Sequence, residues 1–65
     1  MDFVVEELIQ RLDDADAGTR VDACTRLAAL GPDAAAAVER LHELIHDDDG
    51  EVCLAAAAAL SEIER

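Results

Sequence analysis

The chain has 65 residues, enough for one small domain with a core of marginal size. Its formal net charge is −11, from 16 acidic side chains against five arginines and no lysine, which excludes a nucleic-acid backbone or an anionic membrane surface as a natural partner. Apolar residues make up 52% of the chain, too many for a disordered segment, yet no run approaches the roughly 20 of a spanning helix.

In chain order, Asp2 is placed to cap a first helix over about residues 3–13, in which Val5, Leu8, Ile9 and Leu12 form one apolar stripe. Asp13–Gly18 reads as a polar turn, with Asp16 as the N-cap of a second helix over about 17–30 that carries Val21, Ala23, Cys24, Leu27 and Leu30. Gly31 followed by Pro32 is a stop, since glycine suits the left-handed position after a helix end and proline cannot continue the helix. Asp33 is expected to cap a third helix, about 34–46, with Val38, Leu41, Leu44 and Ile45 inward. Asp47–Gly50 is a second polar turn, and Asp49 caps a last helix over about 50–64 with Val52, Ala55, Ala56, Ala59, Leu60 and Ile63. No alternation of the strand type occurs.

Compared with itself at an offset of 33, the sequence matches: Val5 with Val38, Glu6 with Glu39, Leu8 with Leu41, Asp14 with Asp47, Asp16 with Asp49, Ala23 with Ala56 and Leu27 with Leu60. A period of this length marks stacked helical repeats. Short connections make neighbouring helices antiparallel. The expected fold is therefore all-α, an α-solenoid of two antiparallel helix hairpins (four helices), forming a single domain over 1–65 with repeat one at 1–32 and repeat two at 33–65.

The stretch from Leu12 through Asp14, Asp16 and Thr19 to Arg20, continuing through Ala23, Leu27, Leu30 and Gly31, resembles a HEAT-like repeat of the short kind found in phycobilisome-lyase-type proteins. The second copy runs from Ile45 through Asp47, Asp49, Val52 and Cys53 to Ala55, Ala56, Leu60 and Ile63. The resemblance implies a ladder in which Arg20 bridges to Asp47 or Asp14 in adjacent turns, with Asp16 and Asp49 as its companions. The sequence departs from the pattern at Thr19, where valine is usual, at Cys53, where arginine is usual, and at Ala15, Ala17, Asp48 and Gly50, which stand where turn prolines are common.

Other chemistry is poorly supported. The turn aspartates do not fit a calcium loop: with Gly50 as the loop glycine, the first and last ligand positions fall on Ile45 and Ala56. His42 and His46 lie four apart on one helix face, but that helix must bury Leu41, Leu44 and Ile45, so both point outward and a zinc site is the lesser reading. Cys24 reads as small core filler, and Cys53 sits on the flank offered to a next unit, where an intermolecular disulfide is the competing reading. Ser61, Thr19 and Thr25 have no base set beside them by any motif. The expectation is no catalytic residue, no metal and no cofactor.

The last helix is the most informative. Its core stripe leaves Cys53, Leu54, Ala57, Ala58 and Ser61 unassigned, and these are almost entirely non-polar. A helix apolar nearly all round is covered on both sides. Alanines alone would be explained by helix propensity, but Leu54 would not. Arg20 against Cys53, Val21 against Leu54 and Thr25 against Ala58 all make the second copy less polar on this flank. Two repeats also fall short of the roughly three that a stable solenoid needs. The expected function is therefore a small, non-enzymatic protein–protein interaction or scaffold module, a homodimer stacked through its C-terminal helix, binding an unidentified protein partner but neither nucleic acid nor membrane. The alternative is a fragment or subunit of a lyase-type, chromophore-handling protein, which needs further repeats, because two can hardly enclose such a ligand. The starting Met fits a complete short product, and acidic residues near it in place of a basic segment fit a cytoplasmic protein. The Asp- and Ala-rich, lysine-free composition resembles that of salt-loving archaea and of high-GC bacteria; on the first reading, helicity rises with salt.

Overall fold

The computed structural model describes residues 4–65, so the expected cap Asp2 lies outside the described residues. The described chain is helical throughout apart from short turns, with no strand. Helix α1 spans Val4–Arg11, α2 Ala17–Leu30, a 3-10 segment Gly31–Ala37, α3 Val38–Leu44 and α4 Gly50–Ile63.

The caps set where the longer helices start. Asp16, in extended conformation, accepts a hydrogen bond from the Thr19 amide and starts α2. Asp49 accepts from the amides of Glu51 and Val52 and starts α4. Each cap satisfies amide donors that the first helical turn leaves open. At the other end of α2, Gly31 adopts φ 61°, the one positive φ among the described residues, and its amide returns to the Ala28 carbonyl. A side chain there would be strained, which is why glycine stands at this corner.

The third expected helix is not one continuous α-helix. Residues 31–37 form a 3-10 segment with Pro32 near its start and a break at Ala34, and the α-helix begins only at Val38. Asp33 lies inside the 3-10 segment and is not the N-cap; α3 starts behind Ala37 without a side-chain cap. The reason is packing. Ala34 and Ala37 are fully buried, and their spacing of three residues puts both on one side of a helix with three residues per turn. Alanine lets this backbone sit directly on the core. Both shorter helices end by tightening. Asp13 and Asp14 donate to the carbonyls of Gln10 and Arg11, and His46 and Asp47 repeat this on Glu43 and Leu44, 33 residues later.

The core joins Leu8 and Leu12 with Ala23, Cys24 and Leu27 from α2, Leu41 from α3, and Ala56, Ala59, Leu60 and Ile63 from α4. Val5, Ile9, Val38, Leu44 and Ile45 are half-buried at its margin. The most extensive packing is α2 against α4. The molecule measures 32 × 23 × 16 Å. Helices pack about 8–10 Å apart, so the thin axis holds only two layers and one alanine-rich core between them.

Candidate interaction surface

Two features stand out: the ladder between the turns, and the outer face of α4. In the first turn, Asp14 Oδ1 accepts from the Asp16 amide at 2.8 Å. In the second, Asp47 Oδ1 accepts from the Asp49 amide at the same 2.8 Å. The two turns are thus built alike, and Arg20 ties them together. Its Nη1 donates to the carbonyls of Asp14 at 2.6 Å and Ala15 at 3.0 Å. Its Nη2 donates to Asp47 Oδ1 at 3.3 Å, and its Nε lies 3.3 Å from Asp47 Oδ2. The Nε is buried and close to the carboxylate but badly aligned, so this contact is an ion pair without a hydrogen bond. Both side chains are mostly buried, with 16% and 15% exposed, so water screens the pair weakly. Arg20 meets the backbone of Asp14, not its carboxylate, which is occupied by the turn.

Two departures from the repeat pattern have local explanations. The Thr19 hydroxyl donates to Asp16 Oδ2 at 3.0 Å and doubles the cap. Cys53 Sγ donates to the Asp47 carbonyl at 2.8 Å. That bond spans six residues, as does the bond from Arg20 to the Asp14 carbonyl. Cys53 therefore keeps the near contact of Arg20 and lacks the guanidinium that would reach onward. A second bridge crosses between copies where Arg40 pairs with Asp13, and Arg40 also meets Glu43 at 3.1 Å.

On α4, Val52, Ala56, Ala59, Leu60 and Ile63 face the core. Leu54 is 73% exposed, Ala57, Ala58 and Ser61 are exposed, and Cys53 is half-buried. The repeat offset makes this informative. Cys24 is fully buried, whereas Ala57, its equivalent, is exposed. Val21 and Ala28 are half-buried, whereas Leu54 and Ser61 are exposed. At these three positions the side chain is buried or half-buried in the first copy and exposed in the second.

The remaining candidates are peripheral. His42 is exposed, with Nε2 3.7 Å from Glu64 Oε1, and His46 is exposed beside the second turn. The Cys24 thiol is free and buried; burial pushes its pKa up to about 11, the Asp47 charge adds to this, and a backbone hydrogen bond opposes it. It is therefore a protonated filler, not a nucleophile.

In comparison with known protein families, residues 5–65 match the family described as HEAT repeats. The chain belongs to the HEAT repeat family. No curated protein and no solved structure matches it. HEAT repeats generally mediate protein–protein interaction. The described residues, helical and without a strand, fit the α-solenoid that such repeats build, and among them no helix is long and apolar enough to cross a membrane. Arg20 joins the first turn to the second, and the outer face of α4 lies on the flank of the second sequence copy. Subtracting the core stripe from α4 finds this face in the sequence. What sequence reasoning missed is the bridge from Arg40 to Asp13, which crosses between helices whose relative rotation no periodicity gives.

Proposed function

We propose that this HEAT repeat protein is a non-catalytic interaction module that self-associates by stacking α4 on the α4 of a second copy. The arrangement is two helix hairpins per chain, 1–32 and 33–65, and four in the assembly. The observation that carries this reading is the contrast between Cys24, fully buried, and its exposed equivalent Ala57, with Leu54 73% exposed beside it. Covering Leu54 alone contributes about 2 kcal/mol. The small side chains around it let two helices approach closely.

Sedimentation equilibrium across a concentration series tests the reading. The wild type is expected to pass from one chain mass to two, and Leu54→Glu to weaken association by at least about tenfold. A single chain mass throughout, with melting independent of concentration, overturns it. The lyase-type alternative, a unit of a longer chromophore-handling array, rests on the likeness of the turns alone, and no contact in the two turns favours it.

A further inference from the structure

The ladder has a direction, and Cys53 interrupts it. Arg20 reaches forward from the first turn to the Asp47 carboxylate in the second. At the next step the equivalent side chain is Cys53, which stops at the Asp47 carbonyl. In the first turn Asp14 has the same turn geometry as Asp47, but among the described residues no guanidinium reaches its carboxylate. The second bridge behaves alike. It joins Asp13 to Arg40; one repeat onward the equivalent of Asp13 is His46, and one repeat back the equivalent of Arg40 is Glu7.

Two stacking registers are open to a second copy. In the head-to-tail register, α4 of one chain meets the α1–α2 face of the next as a third repeat would. That contact is heterologous and grows without closing. It would set Cys53 against Asp14 and His46 against Glu7. The buried arginine–aspartate pair is lost and Asp14 is desolvated without a counter-charge, which costs more than leaving it in water. The α4-to-α4 register makes no such demand, because it does not use the ladder.

Resting on the α4 reading above, we propose that Cys53 sets the symmetry of self-association: it withholds the ladder arginine, excludes head-to-tail stacking, and leaves the two-fold contact as the occupant of the α4 face. Cys53→Arg places a guanidinium beside a carbonyl acceptor that already exists, and aims it at Asp14 of the next copy. The test is mass against concentration for wild type, Cys53→Arg, and Cys53→Arg combined with Asp14→Asn. The asparagine keeps the turn hydrogen bond through its Oδ1 and removes the charge. Cys53→Arg is expected to climb past twice the chain mass as concentration rises, and the added Asp14→Asn to abolish that growth, although it lowers the net negative charge further. Helicity and cooperative melting check that the variant folds. If it does not, Glu7→Arg with His46→Asp installs the other bridge at two exposed positions and is expected to grow in the same way. Variants that stay at wild-type mass, or growth that Asp14→Asn leaves intact, overturn the proposal. A wild type that is monomeric counts against α4 stacking alone, since growth of Cys53→Arg is read independently.

Discussion

Among the described residues, Arg20 holds two carbonyls of one turn and the carboxylate of the next. Removing either Arg20 or Asp47 leaves a mostly buried charge without its partner, so each alanine substitution is expected to cost about 2–3 kcal/mol. A double-mutant cycle in chemical denaturation is expected to return a coupling of about 1 kcal/mol or more. The exposed pair Arg26 and Asp22 serves as the control, with a coupling below about 0.5 kcal/mol. The two thiols differ in the same local way. Cys53, half-buried, should react with a thiol reagent in the native state at concentrations too dilute for association, and buried Cys24 only on unfolding. The Cys24 pKa rises on folding from 9.0 to about 11, so the folded state holds the proton more tightly. Its contribution to stability is full below pH 9 and is lost as pH rises through 11. The chain has no lysine and no tyrosine to mask this loss, and Cys24→Ala is expected to flatten it in melting curves taken against pH.

Among the elements, α2 and α4 start where their aspartates put them, and Asp16→Ala or Asp49→Ala is expected to cost about 1 kcal/mol each in thermal melts. These starts were legible because an N-cap is a local hydrogen bond between a side chain and amides two or three residues on. The 3-10 segment was not legible. Four consecutive alanines carry no periodicity, and only the fit of Ala34 and Ala37 against the core distinguishes three residues per turn from 3.6. Asp33 had the composition of a cap without the geometry, because the backbone after Pro32 tightens at once. The face of α4 could be listed in advance as whatever the core stripe did not claim, whereas the exposure of Leu54 needed the packing of α2 against α4 to be known. The bridge from Arg40 to Asp13 depends on that same relative placement of helices. Enlarging Ala37 to leucine, where the backbone lies on the core, is expected to destabilise by about 1–3 kcal/mol.

At the scale of the whole molecule, a slab 16 Å thick with a net charge of −11 balances a thin core against its own repulsion. Raising salt from dilute buffer to the molar range screens that repulsion, so helicity and melting temperature are expected to rise together; a flat response would show that the acids are already accommodated. Screening also favours association of two like-charged copies through a face that itself carries little charge. The most direct test of that association is residue-resolved: amide chemical shifts recorded by NMR over a dilution series. The account predicts concentration-dependent shifts confined to Cys53, Leu54, Ala57, Ala58, Ser61 and their immediate neighbours on α4. Shifts that do not change with concentration, or that appear on the α1–α2 face instead, would contradict it.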